Sequence, residues 1–330
     1  MTPPGRRVTE LARRVPVNRT TAVAAGRTSV AAIRRQLTFP VLAPTTPRGV
    51  EVPAEPSRLG ANYDTEWARR YPARMARVLL LEGAVSPALR ALASPRIRGL
   101  DRLADLEGPV VFAANHHSHV DTPLALSAIP EPWRHHIFIG AAADYFFGNR
   151  LTAPLSALVI GAIPIERTKV GRKSADDAAA LIDDGWSMLI FPEGGRSPDG
   201  WGQPFRGGAA YLSMRCEVPV VPVHIEGTGR ILRKGRSIPQ PSSTTITFGP
   251  PLRATDDEDS RRFAARIETA VAGLADETRD DWWSARQRAH RGETPSLQGP
   301  ELGAWRRTWR LGDRGPKRRR TPERAWPDLG

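Results

Sequence analysis

Between residues 61 and 290, short apolar runs rich in β-branched and aromatic side chains alternate with segments of helical period. The runs at 109–114, 136–140, 187–191, 218–225 and 244–248 predict strands. Several are apolar at consecutive positions, the pattern of strands buried on both faces of a sheet. A segment from Ser174 to about Gly185 predicts a helix, and Thr255 with Glu258 forms a capping-box pattern ahead of Phe263, Ile267, Val271 and Leu274, which share one face. Asp121, followed by Thr122 and Pro123, is expected at or just before the N-terminus of another helix. Strands alternating with helices predict an α/β fold, with a mostly parallel or mixed sheet flanked by helices. Ahead of the first strand, Trp67, Tyr71, Met75 and Leu79 recur every four residues among Arg69, Arg70, Arg74 and Arg77, and Pro72 starts or kinks any helix there. That spacing fits a helix packed on the sheet and a membrane-facing helix equally well.

Charge changes the picture only at the ends. The chain has 330 residues and a formal net charge of +13. Residues 1–60 carry +7 and residues 301–330 carry +5, which leaves +1 for the whole centre. A fold with a built-in basic face for nucleic acid is therefore not indicated, and no nucleic-acid partner is expected. Residues 1–60 read as a disordered Arg/Pro-rich tail without the apolar core of an export signal, residues 61–290 as one domain, and residues 291–330 as a basic tail rich in Trp and Arg. Both tails suit an anionic membrane surface or simple solvation. Cys216 is the single cysteine, so disulfide scaffolds and multi-cysteine metal sites are excluded; it reads as a small buried apolar residue in a reduced, cytoplasmic setting. The longest apolar stretch, residues 151–165, has 15 residues and two prolines, short of a bilayer span.

The densest reactive cluster is Asn115-His116-His117-Ser118-His119-Val120-Asp121, directly after the first long strand. Polar residues at the carboxyl end of a parallel strand occupy the place where open α/β sheets build their sites. A carboxylate five residues after His116 can fold back to the ring, fix its tautomer and stabilise its protonated form during reaction, the arrangement of a general base. A lone His and Asp there would read as capping; three histidines in four positions favour chemistry. Farther on, Phe191-Pro192-Glu193-Gly194-Gly195-Arg196-Ser197 follows another apolar strand. Its glycines would let backbone N–H groups approach a ligand and Arg196 offers a forked donor for phosphate, although by itself the run reads equally well as an ordinary turn. Arg167, after the apolar run Gly161 to Ile165, taken singly reads as a solvated strand end.

Together these pieces resemble the glycerolipid acyltransferase family of lysophosphatidic-acid, or 1-acylglycerol-3-phosphate, acyltransferases. The family's N-H-x-S-x-x-D block is matched by Asn115, His116, Ser118 and Asp121, and its G-x-x-x-I-x-R block by Gly161, Ile165 and Arg167. The F-P-E-G-x-R-S block is matched by Phe191, Pro192, Glu193, Gly194, Arg196 and Ser197, and the apolar strand with a central proline by residues 218–223. The resemblance implies a single acyltransferase domain that moves a fatty acyl group from a thioester to the hydroxyl of a lysophospholipid, most naturally 1-acylglycerol-3-phosphate, in phospholipid synthesis. It makes His116 the general base, oriented by Asp121, with Asn115 and Ser118 in support. Arg167, Arg196 and Arg206 would grip the acceptor's phosphate, Glu193 and Gly194 would shape that loop, and Pro222 would lie near the acyl chain. No metal or cofactor is implied; acyl-CoA or acyl carrier protein enters as co-substrate. With no bilayer span, the expected location is the cytoplasmic side, peripheral on the inner face of the cell membrane. In Phe205-Arg206-Gly207 an Arg stands where the family usually has Lys, which keeps the charge and alters the geometry.

A rival pattern is present in the same residues. His117, His119 and Asp121 also spell H-x-H-x-D, the opening of metallo-β-lactamase-type zinc hydrolases. Those enzymes carry a further His directly after the Asp, where this chain has Thr122.

Overall fold

The computed structural model describes residues 59–165, 172–197, 200–232 and 238–299. The two basic tails, apart from residues 59–60 and 291–299, lie outside them, as does Arg167.

A 3₁₀ turn at Glu66–Arg69 leads into helix α1 (Ala73–Leu80), which continues through a single π turn (Leu81–Val85) into α2 (Ser86–Ala93). Strands β1 (Pro95–Arg98) and β2 (Val111–Ala114) precede α3 (Asp121–Ala128). Strand β3 (Ile137–Ala142) runs through the short α4 (Ala143–Phe146) and α5 (Thr152–Ile160) to β4 (Ala162–Ile165). Then come α6 (Arg172–Asp183), β5 (Ser187–Ile190), α7 (Gly208–Arg215), β6 (Val220–Glu226), α8 (Thr228–Ile231) and β7 (Thr244–Phe248). Helices α9 (Ser260–Arg279) and α10 (Trp282–Arg291) complete the order.

The strands form one seven-stranded sheet in the order β1-β7-β6-β2-β5-β3-β4. Strands β6, β2, β5, β3 and β4 are parallel neighbours, and β7 runs antiparallel to β6. The sheet is thus mixed, with a parallel block of the kind the apolar runs predicted. Central β2 explains them: Phe112 and Ala114 face one core with Leu89 and Leu124, while Val111 and Ala113 face a second with Leu212, Phe263 and Ile267. Every β2 side chain is buried, so no polar alternation can appear.

Three local readings become specific in the structure. The stretch 151–165 is two elements, because Gly161 takes a left-handed conformation (φ 64°) that ends α5 and starts β4. Helix α9 begins at Ser260, with the Asp259 carboxylate accepting from the backbone N–H groups of Arg261 and Arg262. Glu258 does accept weakly from Thr255 N–H, but in the turn before the helix, and its charge is taken by Arg266 at 2.6 Å. Of the four-residue stripe, Trp67 packs on a small core around Ala153 and Ala157, whereas Tyr71, Met75 and Leu79 are exposed and Arg77, on the other side of α1, is buried. The helix packs by its arginine.

Candidate active site

Because β2, β5 and β6 are parallel, the segments leaving their carboxyl ends meet on one side of the sheet. Asn115, directly after β2, is buried and clamps β6: its amide donates to the Ile225 carbonyl at 2.8 Å, and its oxygen accepts from Ile225 N–H at 2.7 Å. This fixes where the next residue leaves the sheet.

His116 Nδ1 lies 2.9 Å from Asp121 Oδ2. The same carboxylate oxygen accepts from His117 N–H at 2.6 Å and Ser118 N–H at 2.7 Å, and Asp121 is fully buried as the first residue of α3. An anion there has three donors and a helix N-terminus in front of it. With Nδ1–H donating to that carboxylate, the lone pair of His116 Nε2 is left for a substrate proton. The imidazole stacks on Phe191, centroids 4.2 Å apart, so the ring is held on a second side by the loop after β5. Ser118 Oγ donates to the Leu232 carbonyl at 2.9 Å and accepts from Val120 N–H at 3.2 Å, pinning the loop.

Glu193 joins the two loops. It is buried, and its two oxygens accept from His116 N–H and Gln203 N–H, each at 2.9 Å. Burial pushes its carboxyl up to about 8, against the lowering effect of those two donors. Ser197 N–H donates to the His116 carbonyl at 2.8 Å, a second tie between the loops. Gly194 (φ 70°) supports the Arg206 side chain; a Cβ there would lie 2.9 Å from Arg206 Cζ. Arg196 lies near enough to His119 that its charge, after burial, helps hold that imidazole below the usual histidine range. Burial likewise lowers His117.

The structure therefore gathers Asn115, His116, Ser118, Asp121, Glu193, Gly194, Arg196 and Arg206 at one end of the sheet. It does not bring Pro222 into this cluster. Pro222 lies in β6 in register with Ala113, and its ring is packed where Gly249 and Leu274 of α9 meet; a Cβ on Gly249 would stand 2.7 Å from Pro222 Cγ. The zinc reading finds no support: among the described residues no three His, Cys, Asp or Glu stand together as metal ligands. Two residues carried no sequence signal. Gln203, ten residues from Glu193, meets it only through the loop's return, and Tyr145 on α4 stacks on His119 at 5.6 Å with its hydroxyl 3.3 Å from His119 Nε2.

The profile of the family described as Acyltransferase matches residues 94–226, from the start of the sheet to the end of β6. A chloroplastic 1-acyl-sn-glycerol-3-phosphate acyltransferase of Brassica napus, BAT2, is 31% identical over 142 residues, 42% of this chain and 39% of that protein. One of Chlamydomonas reinhardtii is 29% identical over 180 residues, 53% of this chain and 51% of its own. The chain thus spans between two fifths and half of the length of these relatives. Among solved structures, the 1-acyl-sn-glycerophosphate acyltransferase PlsC of Thermotoga maritima superposes with a TM-score of 0.52 over 67% of this chain and 85% of that one, at 22% identity, a likeness of fold.

Proposed function

We propose, from the match of the Acyltransferase family profile to residues 94–226, that this chain transfers a fatty acyl group from a thioester to the free hydroxyl of 1-acylglycerol-3-phosphate. The observation that carries the reading is the His116–Asp121 pair, 2.9 Å apart, on a loop tied through Glu193 to the loop that bears Arg196. His116 Nε2 takes the proton as the acceptor oxygen attacks the thioester carbonyl, and Asp121 stabilises the imidazolium. The tetrahedral intermediate collapses, the carbon–sulfur bond breaks and the leaving thiolate recovers the proton from His116. An ester and a free thiol are the products, and no covalent acyl-enzyme is required. Arg196 and Arg206, with Arg167 from outside the described residues, hold the acceptor's phosphate by charge-assisted bonds.

The donor is acyl-CoA or acylated acyl carrier protein, and the place of work is an anionic membrane surface on the cytoplasmic side, where such thioesters occur. Among the described residues no helix is long and apolar enough to cross a membrane, in keeping with peripheral attachment. Incubating the purified chain with an acyl-CoA and a panel of lysolipids, with thiol release and lipid mass spectrometry as readouts, tests the reading. Thiol release without any acylated lysolipid would refute it.

A further inference from the structure

Helix α5 packs inside out. Its buried face is made of Ala153 and Ala157, while Leu151 at its cap and Leu155 one turn on are 84% and 60% exposed. At 100° per residue the alanines lie about half a turn from the leucines, so these are opposite faces of one helix. A helix whose polar side chains are only Thr152 and Ser156, turned this way, calls for something apolar outside the domain.

Topology says where this face points. Strand β3 delivers α4 at its carboxyl end, and α5 returns to the start of β4, which is parallel to β3. The first turn of α5 therefore stands at the end of the sheet that holds His116. Tyr145 on α4, 55% exposed, links the two places, since its ring stacks on His119 of the catalytic loop. The arginine-bordered stripe on α1 lies at the other end. Arg77 donates to the Ile137 carbonyl and Arg74 contacts His136, both at the start of β3.

We propose that the α4–α5 corner, carrying Tyr145, Leu151 and Leu155, is the surface that enters a lipid bilayer and sets the mouth of the site at the level of the acceptor. This rests on the lysolipid acceptor proposed above. Exposed Arg150, beside Leu151, suits the boundary with anionic headgroups. Three side chains offer on the order of a few hundred Å², well short of the roughly 800 Å² per partner of a stable protein dimer, which favours lipid over a second copy. Two leucines and a tyrosine reach into the acyl boundary without such a footprint.

The test uses the full chain with sedimenting vesicles of phosphatidylcholine and phosphatidylglycerol, at about 0.15 M and about 0.5 M salt. Leu151→Ser/Leu155→Ser should weaken partitioning by about tenfold per leucine, on the order of a hundredfold together, at both salts. His116→Ala should partition like the parent, so a failure of the chemistry and a failure of the docking are read apart. A fluorophore on Leu151→Cys, in a Cys216→Ser background, should shift to the blue when vesicles are added. Partitioning of the double variant within threefold of the parent, a parent that does not bind vesicles, an unshifted fluorophore, or a dimer of the parent that the double variant dissolves would each overturn the proposal.

Discussion

Replacing Glu193 with glutamine exchanges one carboxyl oxygen for NH₂ at the junction of the two loops, and two consequences can be worked out. The two carboxyl oxygens each accept a backbone N–H at 2.9 Å, from His116 and from Gln203. Glutamine keeps one acceptor and turns an NH₂ toward the other donor, leaving a buried N–H unpaired at a cost of about 1–3 kcal/mol. The second consequence is a pH dependence. Burial holds the Glu193 carboxyl near 8 against an ordinary 4.5, so the folded protein binds a proton across that interval which the unfolded chain has released. The stability tied to that proton is complete below about 4.5 and is lost as pH rises through 8, with a ceiling on the order of 5 kcal/mol. Glutamine has no such titration. The Glu193→Gln deficit should therefore be largest near pH 5 and shrink or reverse near pH 9. Urea unfolding followed by circular dichroism, run on both proteins across that range, reads the difference directly. Parallel stability curves for the two proteins would refute the assignment of a neutral buried Glu193 at the lower pH values.

Three further outcomes follow from the same geometry. Arg196→Ala and Arg206→Ala should each raise the acceptor KM more than the donor KM, consistent with the loss of about 1.5–3 kcal/mol per charged hydrogen bond, and an unchanged acceptor KM in both would remove the phosphate assignment. Gly161→Ala puts a Cβ 2.7 Å from Arg77 Nη1 at φ 64°, so it should destabilise the fold by roughly 1–3 kcal/mol, with part of the loss recovered when Arg77 is also shortened; additive losses in the double variant would contradict that contact. Vesicle binding should weaken as salt rises, because residues 1–60 and 301–330 carry +7 and +5; deleting both tails should flatten that salt dependence, and a slope unchanged by the deletion would exclude them as its source.

What could be read from the sequence depended on burial. Strands β2, β5 and β6 were legible because both their faces are covered and their side chains are apolar in succession. Strand β1, Pro-Arg-Ile-Arg, carries almost none of that pattern because it is a mostly exposed edge, where proline and arginine guard against further pairing. Strand β4 lies at the end of a longer apolar run, and the positive φ of Gly161 divides it from α5. At the site, His116 and Asp121 were legible because their contact is local, five residues around one loop. The Glu193–His116 contact was not, since it joins segments 77 residues apart through a backbone N–H, which has no residue identity to read. Arg77 misleads in the opposite way: it reads as the polar face of an amphipathic stripe, yet it is buried, with Nε and Nη2 unpartnered, and burial lowers its guanidinium to about 10.

The central claim is that one histidine of three is the base, and single alanine variants at 116, 117 and 119 test it most directly. With one acyl-CoA and 1-acylglycerol-3-phosphate, thiol release by His116→Ala should fall on the order of 10² to 10⁴ while the fold and vesicle binding persist, and His117→Ala and His119→Ala should lose much less. Equal loss in all three, or a His116→Ala enzyme within tenfold of the parent, would contradict the account.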